Sequence, residues 1–450
     1  MDPDSLSRRT VLALSTVGLA GCSGVDDPVD DPTDTDLGTS STPDPSLDHD
    51  KTAWAGYDPE WSAPTEAAEP ELSIEVLTEN LEIPWDLSFA PDGDLFLTER
   101  PGQVLRYADG EVTPLFEPAG SIDGGSVPAG SDESSWFVDG GEGGTMGVEV
   151  HPNYPEVSRL YVCYTADDTE EPVVRLAAFD PDSEDPGEPI DVLLEAPAKV
   201  GTNAFIHNGG RIRFGPANYL WMTMGDAGDG ELAGDPDSLA GKTLRVTPTG
   251  EPAPGNSEDG DPRVFSIGHR NPQGLSWLPD ATPVVNEHGP GPDEVNALAA
   301  GTEYGWPDAR QPDEYEGTDY RRPIASSKIE STVWAPSGSS FYRGDAVPTL
   351  RNRLLVGCLA EQRLKSFTVT PPDGEAPALG ETGTRHGADW LDDAYTVTSH
   401  DLLVNELGRI RHVEEGPDGA LYAITSNRDG RANAPFPMNY DDVLVRITER

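Results

Sequence analysis

Apolar residues in this chain come in short alternating runs, not in helical stripes. "LSIEVL", "LFLTER", "RLYVCYT", "YLWMTMG", "LYAITS" and "VLVRIT" are each bounded by Gly, Pro or Asp. Alternation with a period of two predicts strands with one buried face, and the bounding residues predict turns. No stretch sustains the 3.6-residue period of an amphipathic helix.

Five of these runs follow one template: an apolar pair, a turn containing proline, and a strand that opens on a large hydrophobe. They are "FAPDGDLFLTE", "VHPNYPEVSRLYVCYT", "FGPANYLWMTMGD", "WLPDATPVVNEH" and "EGPDGALYAIT". The turn prolines are Pro91, Pro152, Pro216, Pro279 and Pro417, spaced by 61, 64, 63 and 138 residues. The last interval is twice 69, and "FYRGDAVPTLRNRLLVGCL" from Phe341 fills it in degenerate form, giving six copies. A period of roughly 60 residues fits one four-stranded sheet with long connections. Such sheets bury both faces only by stacking around an axis. The expectation is therefore an all-β, six-bladed β-propeller, closed by "ELSIEVL" and "DVLVRIT" sharing one blade. Cys163 falls in the second copy and Cys358 in the fifth, on opposite sides of the ring. That is far beyond the ~7 Å a disulfide allows, so both read as buried thiols.

The chain has 450 residues, 81 of them acidic and 30 basic, for a formal charge of −51. Self-repulsion of that size opposes compaction at ordinary ionic strength. In molar salt the screening length falls to about 3 Å and the repulsion largely disappears. The charge therefore reads as adaptation to high salt, and it argues against nucleic acid as a partner. Nine Trp, thirteen Tyr and eleven Phe spread along the chain argue against an acidic disordered protein.

"SRRTVLALSTVGLAGC" places Arg8 and Arg9 before an apolar run too short to span a bilayer, which needs ~20 residues. Twin arginines there read as a Tat export signal. Leu19-Ala20-Gly21-Cys22 resembles a lipobox, with Cys22 as the lipidated residue that anchors the protein outside the cytoplasm. Residues 1–22 are thus expected to be a Tat-type lipoprotein signal. Residues 23–70, rich in Asp, Pro, Thr and Ser, are expected to be a disordered tether, and 71–450 the folded domain.

Four stretches carry unusual loop chemistry for so acidic a chain. "NAFIHNGGRIRFGP" sets His207 before a glycine pair and a strand, and "MTMGDAGDG" sets Asp226 at the end of the next. A hairpin would bring the carboxylate beside the imidazole, fixing its tautomer and leaving one nitrogen as a base. "SIGHRNPQGL" offers Arg270 as a planar fork, with Asn271 beside it. "NEHGPGPDEVNALAAGTEYGWP" crowds Glu287, Asp293 and Glu294 around a loop in which Gly289 and Pro290 expose carbonyls, a hard-oxygen set suited to Ca²⁺. "GRIRHVEEGPDG" alternates Arg409 and Arg411 on one strand face, with Ile410 on the other. Taken singly, each of these is as well explained by a turn histidine or a loop salt bridge. Together, Arg270, Arg409 and Arg411 would converge on one polyanion at the channel mouth.

"PWDLSFAPDGDLFLTER", "HNGGRIRFGP", "GHRNPQGL", "EHGP…DEVN", "YGWP", "APSG…FY" and "RIRHVEEGPDGALY" resemble, in order, the PQQ-dependent glucose, aldose-sugar and sorbosone dehydrogenases. The resemblance covers about residues 74–449 and independently implies a six-bladed propeller. It implies pyrroloquinoline quinone (PQQ) and Ca²⁺ as cofactors, with Arg409 and Arg411 on the cofactor's carboxylates. Arg270 would polarise the quinone, with Asn271 and Gln273 beside it. Gly289 and Pro290 would give carbonyls to the cofactor-bound Ca²⁺, and Glu294 with the backbone of Tyr304 a second Ca²⁺ site. His207 would be the base that removes the anomeric proton as hydride leaves C1, and Asp226 its orienter. An aldose would leave as a lactone, and an external electron acceptor would complete the cycle.

The sequence also departs from that family. Glu142, in "GEGGTMG", stands at a cofactor-binding position where several members have Gln. Ala360 stands where many carry a basic residue, so one cationic contact is lost or supplied by Arg363. The "EHGP" loop is one residue shorter before "DE", and Ser331-Thr332-Val333-Trp334 replaces an aromatic and threonine pattern. The competing readings are a non-catalytic propeller that binds glycans or proteins, and a Ca²⁺-dependent lactone hydrolase. The second lacks an obvious set of convergent carboxylate ligands.

Overall fold

Each turn of the recurring template is the hairpin between the first and second strands of a sheet. The computed structural model describes residues 43–124, 141–198, 205–327 and 333–450, and their strands form six sheets. The first four blades open on the inner strands Pro84–Phe89, Thr145–Val150, Ile212–Phe214 and Pro272–Trp277. The last two open on Pro336–Tyr342 and Ile410–Glu415. Within each blade the chain then runs outward through antiparallel neighbours.

In all six hairpins the residue after Pro-Xaa donates back to the residue before proline, and four share their full geometry: Gly93 N to Ala90 O (2.9 Å), Asn218 N to Gly215 O (2.8 Å), Ala281 N to Leu278 O (2.8 Å) and Gly419 N to Gly416 O (2.9 Å). All four donors have positive φ, a region that favours Gly and Asn; Ala281 occupies it at 71°.

The expected closure is present. Leu72–Thr78 pairs antiparallel with Leu444–Glu449, with Ile74 opposite Ile447, so the first and last strands of the chain share the sixth blade. Apolar clusters fill the seams between neighbouring blades. Leu87, Leu97, Ile424 and Leu444 join the first blade to the last, and Trp221, Phe265, Leu275 and Val285 join the third to the fourth. Cys163 and Cys358 are free and buried.

The excursion that follows the third strand of blade 4 (Glu294–Ala297) returns to the edge of blade 3. There Thr302–Glu303 adds in parallel to Val264–Ile267, with Ser266 opposite Thr302. This carries the "YGWP" loop across to the end of Leu220–Met224, where Asp226 sits.

The segment expected as a tether as far as residue 70 is packed on the propeller from Pro43 onward. His49 stacks on Tyr219 at 3.9 Å, Asp58 N donates to Pro279 O at 2.8 Å, and the Arg343 guanidinium lies 4.7 Å from the Trp54 ring. Trp61 and Ala68 are buried in seam clusters. Trp54, Trp61 and Ala68 anchor the segment by apolar contact, which its Asp- and Pro-rich composition alone does not predict. Arg8, Arg9, Cys22, the tether as far as residue 42, and Ser331-Thr332 lie outside the described residues.

Candidate active site

The inner strands all begin at one mouth of the central channel, so loops from several blades converge there. They enclose a cavity of about 370 Å³. Arg100, Arg409, Arg411 and Arg431 line it, with Trp85, Glu142, Asn271 and Gln273. Below it the channel is closed by Asp86, which holds Arg211 and receives two bonds from Arg213, at 2.8 and 3.0 Å.

Arg409 and Arg411 project from one strand face, as alternation requires, while Ile410 turns into the seam with blade 5. Arg409 is held by the buried carboxylate of Asp429 at 2.7 and 3.1 Å and donates to Leu359 O at 3.1 Å. Arg411 donates to Gln273 Oε1 at 3.1 Å and lies 3.4 Å from Asp429. Its Nε is buried with no partner among the described residues. Burial, with Arg409, Arg100 and Arg211 nearby, outweighs Asp429 and pushes the Arg411 guanidinium down to about 9. Burial raises the Asp429 carboxyl, but Arg409 and Arg411 outweigh it and hold it below the usual carboxylate range. The site is a cluster of four arginines with Asp429 buried behind them and Glu142 beside them, in a chain that is strongly acidic overall.

His207 and Asp226 meet as the hairpin required. His207 Nδ1 and Asp226 Oδ1 are 2.7 Å apart. Asp226 also accepts from Gly228 N at 2.8 Å and from Trp306 Nε1 at 2.9 Å. With Nδ1 donating to a carboxylate, Nε2 is the available base. The loop is tight. His207 has a φ of 57°, and a Cβ on Gly209 would stand 2.5 Å from Thr223 O. Asn271 Oδ1 accepts from Gly209 N at 3.2 Å, and Arg270 O accepts from Asp226 N at 2.8 Å, so the "HRN" loop braces the dyad. Neither His207 nor Arg270 lines the main cavity. Both adjoin it: His207 N donates to Glu142 Oε2 at 3.0 Å, and Arg270 Nη1 donates to the carbonyl of His288, another lining residue, at 2.8 Å. Arg270 lies 5.4 Å from the Trp306 ring, and its Nε is buried without a partner among the described residues. Burial lowers its guanidinium, partly countered by Asp226 and Glu142.

Gly289, Pro290, Glu294 and Tyr304 line one narrow cavity of about 20 Å³ beside Arg270. Burial, then Glu287, raises the Glu294 carboxyl well above the usual range. The other two acids of the loop are committed. Asp293 accepts from Gly289 N at 3.0 Å and from Ala335 N at 3.0 Å, and pairs with His288 Nδ1 at 2.8 Å. Glu287 pairs with His269 at 3.1 Å. Asp293 therefore clips the "HGP" loop to blade 5 and is not free as a cation ligand. Among the described residues no group of three or more His, Cys, Asp or Glu side chains is arranged to hold a metal, so a Ca²⁺ here would draw on carbonyls.

Arg363 does not replace the base missing at Ala360. It is turned away, onto Asp401 at 2.5 Å, because strand alternation points it outward along the sheet. The arginines that share the cavity with Ala360 are Arg100, Arg409, Arg411 and Arg431. Arg100, Arg431, Asp429 and Trp306 were not singled out in the sequence. The available signal was charge: an arginine beside a strand end or loop glycine is unusual in so acidic a chain.

Comparison with known proteins points the same way. The glucose/sorbosone dehydrogenase family profile matches residues 81–434. The chain is 28% identical over 399 residues to the aldose sugar dehydrogenase YliI of Escherichia coli, covering 84% of this chain and 95% of that one. It is 27% identical over 302 residues to quinoprotein glucose dehydrogenase B of Acinetobacter calcoaceticus, covering 60% and 59%. Among solved structures, the glucose dehydrogenase-type oxidoreductase of Thermus thermophilus superimposes with a TM-score of 0.65 at 32% identity, covering 84% of this chain and 99% of that one. The PQQ-bound aldose sugar dehydrogenase of Streptomyces coelicolor does so with 0.63 at 29%, covering 85% and 100%.

Proposed function

Because the chain belongs to the glucose/sorbosone dehydrogenase family, we propose that it is a quinoprotein that oxidises aldose sugars to lactones, with PQQ held in the arginine-lined cavity. The observation that carries this reading is the convergence of four arginines on one cavity in a chain of charge −51. PQQ is a tricarboxylate, and the residues suit it. Arg409 and Arg411 would take carboxylates, with Arg100 and Arg431 completing the cationic wall and Asn271, Gln273 and Glu142 beside them. The buried, unpartnered Nε atoms of Arg411 and Arg270 are donors suited to anionic oxygens.

Bound there, PQQ would supply the two-electron acceptor for oxidation at C1 of the sugar. The protein's own part is proton handling and positioning. His207 takes the anomeric hydroxyl proton at Nε2. Asp226 stabilises the imidazolium that forms, and Trp306 and Gly228 keep the carboxylate oriented. Arg270, which adjoins the cavity, would polarise the quinone of bound PQQ. Ca²⁺ would be held by the carbonyls of Gly289 and Pro290, with Glu294 and the backbone of Tyr304 at a second, structural position. The buried Glu294 carboxyl suits a cation, whose charge would offset its burial.

Residues 1–22 are read as a Tat lipoprotein signal, with Cys22 anchoring the enzyme outside the cytoplasm and electrons passing to an external acceptor. Cys22→Ser should move the protein from the membrane to the soluble fraction. The activity is tested by reconstitution with PQQ and Ca²⁺ in molar salt, following dye reduction over a panel of aldoses. Turnover that falls by about two or more orders of magnitude in His207→Gln supports the reading. No turnover on any aldose, with no spectral change of PQQ on mixing, favours a glycan-binding propeller instead.

A further inference from the structure

The opposite mouth of the channel holds a second cavity, of about 260 Å³. It lies at the other end of the same inner strands: Trp85 and Gln273 line the first cavity, Phe89 and Trp277 the second. At 3.3 Å per residue the two are roughly 13 Å apart, with Asp86, Arg211 and Arg213 filling the channel between them. The distal cavity is roofed by the arm that precedes the family-matched residues 81–434. Trp54 closes over it, and Gly56 lets the arm pass Arg343, because a Cβ there would lie 1.3 Å from Arg343 Nη1.

Its acids are already engaged. Glu149 accepts from Phe214 N (2.9 Å) and Ser88 Oγ (3.0 Å), and Glu414 accepts from Ser340 Oγ (3.0 Å) and lies 3.4 Å from Arg213. The uncommitted groups are donors. Trp277 Nε1 and Ser339 Oγ, buried in residues 8% and 2% exposed, have no partner among the described residues. Arg343 is stacked on Trp54, and its guanidinium donates no hydrogen bond among the described residues. Three carboxyl groups (Glu149, Glu414 and Glu415) face two guanidiniums (Arg213 and Arg343), and burial raises Glu149 and Glu414, so the lining is close to neutral and favours neither an anion nor a cation. A cation would have to displace Arg213. Aromatic walls with free donors suit an oxygen-rich neutral molecule whose hydroxyls both give and accept hydrogen bonds.

We infer that the distal cavity is a second binding site, for a neutral polyol the size of one hexose, separate from the cofactor cavity and independent of its assignment. The probe is sorbitol, which has the size and hydroxyls of a hexose but no anomeric carbon to oxidise. Equilibrium dialysis of labelled sorbitol against the full chain in molar salt should give one site per chain. Affinity should fall about tenfold or more in both Trp54→Ala and Ser339→Leu, the second of which fills the cavity, while Arg409→Ala leaves it unchanged. An unchanged melting temperature in Trp54→Ala, whose side chain lies on the arm, separates loss of the site from loss of the fold. Absence of saturable binding to the native chain, binding that survives both distal variants, or binding lost in Arg409→Ala overturns the inference. None of these results depends on whether the chain turns over sugars.

Discussion

Asp226 spends both carboxylate oxygens on three donors, and one of them, His207 Nδ1, is the group whose tautomer decides which nitrogen faces a substrate. Asp226→Asn keeps the shape but lets the imidazole adopt the wrong tautomer. Dye reduction in the reconstituted enzyme should fall by about two to four orders of magnitude with little change in melting temperature. A variant within about tenfold of native would show that the carboxylate does not orient the base. The dyad was legible in the sequence because its two members flank one short hairpin, where spacing fixes geometry. Arg409 and Arg411 were legible because alternation on a strand is rigid. Asp429 and Arg431, which complete the arginine cluster, were not: their position depends on how the "SNRDGR" loop folds over the mouth. Arg363 misled for the complementary reason, since three residues of sequence separation from Ala360 carry it to another side of the sheet.

The proline hairpins made the blade count readable, because each marks the same first-to-second-strand turn. Their geometry also isolates one imperfect copy. Ala281 holds the left-handed conformation that Gly93 and Gly419 hold in the equivalent turns. Ala281→Gly should relieve that strain, with a gain in unfolding free energy of up to about 1 kcal/mol after the entropy of the freer unfolded chain is deducted. A denaturant midpoint that moves down would contradict the shared-turn reading. The arm from Pro43 to Pro70 was not legible. Its composition is that of a linker, and its order comes from surfaces offered by blades 3 to 5, which receive His49, Trp54 and Trp61. A scan of local composition cannot see a receptor that lies far along the chain.

A chain carrying −51 charges should depend on salt as a whole. Lowering ionic strength from about 1 M to 0.1 M lengthens the screening distance from about 3 to about 10 Å, so the melting temperature should drop steadily; an unchanged value would remove the salt-adaptation reading. Raising the pH acts in the same direction. Burial pushes the carboxyls of Glu99, Glu149 and Asp442 up to about 7. In the unfolded chain they ionise near their ordinary values, so between about pH 4.5 and 7 the folded state binds more protons. Stability should therefore fall as pH rises through that window, and Glu149→Gln should flatten the slope in thermal melts. Against this acidic background the arginine cavity is the exception on which the functional account rests. Its most direct test is an equilibrium titration of the full chain with PQQ in molar salt. The account predicts one saturable site per chain, weakened about tenfold or more by Arg411→Ala and unaffected by Arg343→Ala at the far mouth. Binding that never saturates, or that is lost equally when Arg343 is removed, would contradict it.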